Sequence, residues 1–90
     1  MLERSKEQIV SALNLPKDAM LGEVLLTFVG HHCVLIENYR KILLYTDTLI
    51  RVNARKSKVE IEGKRLKIEY YTNDEMKITG QIKSVSFHSN

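Results

Sequence analysis

The sequence predicts a mainly β protein: a short N-terminal helix, then an antiparallel meander folded into a small barrel or sandwich. Three observations lead there. From Val24 onward apolar residues recur with a period of two, as in strands with one face turned inward. Polar clusters interrupt this alternation at short, even intervals, as turns between antiparallel strands do. And Val59, Ile61 and Gly63 recur 17 residues later as Met76, Ile78 and Gly80, an echo that fits strands bending at glycine. A short β-solenoid is the rival architecture, because Ile42 and Leu44 stand 17 residues before Val59 and Ile61. The meander is preferred, since the echo decays after the glycine: Leu66 and Ile68 are matched by Lys83 and Val85.

The elements follow in order. Residues 1–14 read as a helix that Ser5 caps, with Gln8 as its capping-box partner and Ile9, Val10 and Leu13 on one face. Pro16 ends it, because the residue before a proline avoids the α region. Residues 15–23 form a connector and residues 24–87 the β domain. "VLLTFVG" reads as a buried strand closing at Gly30, and "HHCVLIE" as the next, with Val34 and Ile36 on one face. "NYRK" is expected to be a polar turn, since Asn tolerates left-handed backbone. "KILLY", a turn at "TDT", and "LIRVNA" with Ile50 and Val52 facing one way come next. After a turn at "RKSK", "VEIEG" and "RLKIEYY" are expected to pair across Gly63. "TNDE" turns into "MKITGQIKSVSF", whose apolar phase slips between Ile82 and Val85, as a bulge near Gly80 would cause.

Ninety residues make one domain, able to bury roughly 60–65% of the surface that its unfolded chain exposes. A hydrophobic content of 43% with 28% charged residues is globular, not disordered. No apolar run approaches the ~20 residues that span a bilayer, and the first residues mix acids with bases. The single cysteine, Cys33, excludes an internal disulfide and fits a reducing compartment. These features place the chain in the cytosol.

Catalytic and metal chemistry find little support. Zinc needs three or four ligands. Read as a strand, "HHC" puts His31 and Cys33 on one face and His32 on the other, and the remaining histidine, His88, lies near the chain end. Cys33 is better read as a small buried hydrophobe. The serines lack a nucleophile context, Asp47, Asp74 and Glu75 fall in turns, and no glycine-rich loop opens a helix. No enzyme activity, metal or cofactor is expected.

Charge gives the one binding signal in the composition. The net charge is +3, and residues 51–67 carry Arg51, Arg55, Lys56, Lys58, Lys64, Arg65 and Lys67 against Glu60 and Glu62. Such a basic strip suits an acidic protein or a peripheral contact with phospholipid head groups. Nucleic acid fits less well, because only Tyr70 and Tyr71 offer stacking rings nearby. Outward lysines also protect sheet edges, which are otherwise open to self-association.

The order of the pieces resembles a known family. "LPKDAML", "VG", "VLIENYRKILLYTDTLIRV", "VEIEGKRLKI" and "MKITGQIKSVSF" follow one another as in the YabP/YqfC sporulation proteins, the YqfC branch above all. The marks are Leu15-Pro16, Gly30, Ile36-Glu37-Asn38-Tyr39-Arg40, Gly63 with Leu66 and Ile68, and Gly80 with Ile82; their shared order over residues 15–87 carries the likeness. Ser57 departs from it, standing where the family often has glycine. The resemblance implies a protein of endospore-forming bacteria that acts without catalysis in spore envelope or coat assembly, in the cytoplasm at the forespore envelope. It implies a protein partner, with the membrane protein YqfD, commonly encoded beside YqfC, as the candidate. The partner surface expected is Glu37, Asn38, Tyr39 and Arg40, where Tyr39, partly exposed, and Arg40 supply interface-type side chains in the "NYRK" turn; the equal alternative is that Tyr39 folds back as a lid on the barrel and Arg40 only solvates the turn. Gly30, Gly63 and Gly80 are expected to be structural.

Overall fold

The computed structural model describes residues 22–89. The helix over residues 1–14 and nearly all of the connector lie outside the described residues. Within them the chain forms six strands: β1 Leu25–Val29, β2 Cys33–Glu37, β3 Tyr39–Tyr45, β4 Leu49–Ala54, β5 Ser57–Tyr71 and β6 Glu75–Ser89. They make one antiparallel sheet in the order β1-β2-β6-β5-β4-β3. The fold is therefore mainly β and antiparallel, as expected. It is neither a closed barrel, since β1 and β3 are unpaired ends of the strand order, nor a solenoid, whose successive coils would pair in parallel.

The long β5–β6 hairpin organises everything else. The first part of β5 pairs with β4 on one side and the end of β6 on the other; the second part pairs with the start of β6, whose other side meets β2. The sheet thus has two halves that share a bent hairpin. Register shifts between Glu62 and Gly63, Lys64 and Lys67, and Ile68 and Tyr70 mark the bend, because each extra residue tightens the local twist.

Inward residues of both halves meet in one core. Val34 stands opposite Ile78 and Ile36 opposite Met76 in one half; Ile50 stands opposite Ile61 and Val52 opposite Val59 in the other. All eight are fully buried and belong to a single cluster. Burying each contributes about 1.5–3 kcal/mol, which must outweigh the entropy of ordering the chain.

The 17-residue echo now has a physical meaning. Val59 and Ile61 before Gly63, and Met76 and Ile78 before Gly80, are two inward side chains followed by a bend, once in each long strand. Each glycine also receives the turn of a neighbouring hairpin. The Gly63 N–H donates to the Thr48 carbonyl at 3.0 Å, and the Gly80 N–H to the His32 carbonyl at 3.1 Å. A side chain at either bend would drive into the opposing backbone.

Four local expectations are corrected. "NYRK" is not a hairpin turn: Asn38 alone makes the corner, at φ 65°, and β3 begins at Tyr39. No hairpin is needed there, because β2 pairs with β6 and β3 with β4. "VEIEG" and "RLKIEYY" do not pair with each other; they are one continuous strand bent at Gly63. "VLLTFVG" is not a buried strand, since β1 is a sheet edge with Phe28 and Val29 exposed. Finally, His31 and His32 lie in the β1–β2 turn, not on a strand.

Candidate functional site

Every tyrosine of the chain lines one open cleft. The chain holds four, Tyr39, Tyr45, Tyr70 and Tyr71, and all border a depression of about 680 Å³ between β3 and the second half of β5. Among the described residues both walls are edges: β3 ends the strand order, and β5 beyond the bend has β6 as its one strand neighbour. The cleft is where the sheet would close if its edges met.

Side chains bridge that gap in place of backbone. The Tyr39 hydroxyl donates to the Thr72 carbonyl, and the Tyr45 hydroxyl accepts the Ile68 N–H at 3.0 Å. The corner that aims Tyr39 is itself held: the Asn38 N–H donates to the Asp74 carbonyl at 2.9 Å, and its side-chain amide donates to the Glu23 carbonyl at 3.0 Å. Tyr39 is consequently buried, and it forms part of the core floor under the cleft. Of the two roles expected for Tyr39, that burial agrees with the ring folded back on the core and corrects the exposed anchor. Tyr71, by contrast, is 65% exposed.

Electrostatics keep two of the phenols protonated, so that each can donate its internal hydrogen bond. Burial raises the Tyr39 phenol above its usual value, with smaller contributions from Tyr71 and Asp74. Burial raises Tyr70 as well, and its 3.1 Å hydrogen bond to Glu75 adds to this. Both phenols stay protonated at neutral pH. On the β3 wall Arg40 and Lys41 are exposed, and among the described residues neither side chain has a hydrogen bond or ion pair. Two cations without a partner among the described residues thus border the cleft together with four phenol rings and the Glu69 carboxyl, the residue types that anchor protein interfaces more than those that select one charge.

Removing the Tyr39 hydroxyl isolates one of these bridges. Tyr39→Phe is expected to cost about 1 kcal/mol, a drop in Tm of about 4–8 °C, because the ring still fills its place while the Thr72 carbonyl loses its donor. Thermal denaturation followed by circular dichroism measures it; an unchanged Tm would show that the bridge is not holding β3 to β5.

The other expected sites disperse. Of the proposed partner surface, Arg40 and Tyr39 line the cleft, whereas Glu37 ends β2 opposite Glu75 and Asn38 serves the corner. The basic strip is not one surface. Arg51 pairs with Glu60 at 2.6 Å, Glu60 also meets His88 at 3.1 Å, and Lys56 pairs with Glu23 at 2.8 Å. The Arg51 hydrogen bond above all holds the Glu60 carboxyl below its ordinary value. Arg55 sits at the β4–β5 turn beside Gly22, and Lys64, Arg65 and Lys67 lie at the bend. At "HHC" the two imidazoles lie with centroids 4.1 Å apart and planes tilted by 43°, while Cys33 opens β2. Among the described residues no three His, Cys, Asp or Glu side chains cluster as a metal site would require.

Comparison with known proteins decides the family. The YabP family profile matches residues 22–90. The chain belongs to the YabP family. It is similar to protein YqfC of Bacillus subtilis (strain 168), 30% identical over 84 residues that cover 93% of this chain and 90% of that relative. No solved structure matches. The family match therefore spans the whole described sheet, including the Asn38 corner, both bend glycines and the tyrosine cleft. In this YabP-family sheet sequence reasoning missed Lys41 and Tyr45 as cleft residues, and the placing of Tyr70 and Tyr71 on the wall that faces β3. The available signal was compositional: all four tyrosines fall in the two segments that become the walls.

Proposed function

We propose that this YabP-family protein is a non-enzymatic assembly protein of sporulating cells, and that it captures a protein partner in the tyrosine cleft during formation of the spore envelope. The observation that carries the reading is the convergence of four tyrosines with Arg40 and Lys41, which have no partner among the described residues, on one open seam. Tyr and Arg are the residue types that most often anchor protein interfaces. The similarity to YqfC and the family name support the sporulation setting. The membrane protein YqfD is the first partner to test, with this chain docking from the cytoplasmic side of the forespore envelope. Among the described residues no helix is long and apolar enough to cross a membrane.

An anionic ligand held by the basic strip is the weaker reading, because Arg51 and Lys56 are already ion-paired and the remaining bases are spread over the β4–β5 turn, the start of β5 at Lys58, and the bend. The two differ in salt dependence, since charge-driven phosphate binding falls steeply with ionic strength. Deleting the gene in its host is expected to leave vegetative growth normal and to lower the yield of heat-resistant spores. Wild-type spore counts from the deletion strain would remove the proposal.

A further inference from the structure

Among the described residues, the second half of β6 is an unprotected sheet edge. On one side it pairs with β5, from Ser84 opposite Glu62 to Ser89 opposite Ser57. On its other side, β2 pairing stops at Thr79, and the β1–β2 turn reaches no farther than the Ile82 N–H, which donates to the His31 carbonyl at 2.8 Å. Among the described residues nothing pairs with that side over residues 83–89. Free edges of this length invite another strand, and natural sheets blunt them with prolines, inward charges or repeated lysines. Residues 83–89 contain no proline and no acid, and Lys83, at the start, is the one lysine or arginine.

The edge is also complementary to itself. Val85 and Phe87 lie opposite Ile61 and Val59 on the core face, and Val85 packs on the core. Ser84, Ser86 and His88 lie on the outer face, where Ser84 donates to Glu62 and Ser86 meets the His88 ring at 3.2 Å. An antiparallel pairing centred on Ser86 uses the whole free edge. It sets Val85 against Phe87, Ser84 against His88 and Lys83 against Ser89, so apolar meets apolar, polar meets polar and no like charges oppose. Phe87, 59% exposed in the single chain, would gain a cross-strand neighbour on the core face.

We propose that residues 83–89 of β6 pair with the same residues of a second copy of this chain, antiparallel about Ser86, joining two sheets into one. This surface is separate from the tyrosine cleft and does not depend on the function proposed for it. The test is the mass of the full chain in solution by analytical ultracentrifugation. Wild type is expected to sediment at twice the chain mass. Ser86→Glu and Ser86→Arg each place a charge against its own copy, and each is expected to weaken the dimer ~10-fold or more. An equimolar mixture of the two variants is expected to restore it as a mixed dimer. Independently of those variants, Ser86→Cys in a Cys33→Ser background is expected to form a disulfide-linked dimer under mild oxidation, because directly opposed strand residues lie within disulfide reach. A wild type that stays monomeric at millimolar concentration, a dimer that both charged variants leave intact, or a Ser86→Cys chain that does not cross-link overturns the proposal.

Discussion

Gly63→Val is expected to destabilise the protein by about 3 kcal/mol, lowering Tm by about 12–24 °C, and to leave little folded chain at physiological temperature if the wild type is ordinarily stable. The reason is not an unusual φ, since Gly63 is absent from the positive-φ positions. It is close approach. A Cβ at this site would lie 2.0 Å from the Gln81 carbonyl oxygen and 3.0 Å from its carbon. That oxygen belongs to the paired β6 backbone and cannot rotate away as a side chain could. Any shift that relieves the clash pulls on the ladder where Gly63 faces Ile82, and on the Gly63 hydrogen bond to Thr48. Gly80 combines both constraints: φ is +135° and an added Cβ would sit 2.6 Å from the Arg65 carbonyl oxygen. Gly30 carries only the backbone conformation, at φ +54° with its nearest obstacle the His32 ring at 3.5 Å. Gly30→Ala should therefore cost only about 1–2 kcal/mol. Chemical denaturation of the three variants measures the order, and a Gly63→Val chain as stable as wild type would contradict the bent-hairpin account.

Much of this sheet is legible in the alternation of side chains. Val34, Ile36, Ile50, Val52, Val59, Ile61, Met76 and Ile78 all sit at period-two positions, and all are buried. Such positions answer to one local requirement, a face turned inward. The turns at Asp47 and Asn73 are readable too, because polar residues there interrupt an apolar run. What cannot be read locally is whether a break reverses the chain or only redirects it. Asn38 and Gly63 both look like hairpin punctuation, yet one makes a corner between strands that never pair and the other bends a single strand. Their meaning depends on β2 and β4 finding β6 and β5, which no neighbouring residue encodes. The cleft is harder still. Its two bridges join Tyr45 to Ile68 and Tyr39 to Thr72, 23 and 33 residues apart. No periodicity links those positions, so Tyr39 reads as a turn residue until the fold buries it.

The cleft variant expected to have the largest functional effect is Arg40→Glu with Tyr71→Ala. Both side chains are exposed on opposite walls, and neither makes a hydrogen bond or ion pair among the described residues. Each substitution should change stability by no more than about 0.5 kcal/mol. If the cleft holds the partner, the pair removes an aromatic anchor and reverses the charge of an exposed cation. The expected loss is 2 kcal/mol or more, roughly 30-fold or more in affinity. Tyr39 is left intact because its burial would confuse binding with folding.

Heat-resistant spore yield, measured in a deletion strain that produces the Arg40→Glu, Tyr71→Ala protein at the wild-type level, tests the central claim most directly. Lys58→Glu, on β5 and outside the cleft lining, serves as the control and should restore spores as wild type does. The cleft variant is predicted to give spore counts as low as the deletion itself while keeping the wild-type Tm. Full restoration of spores by the stable cleft variant would contradict the claim that this seam is where the protein acts.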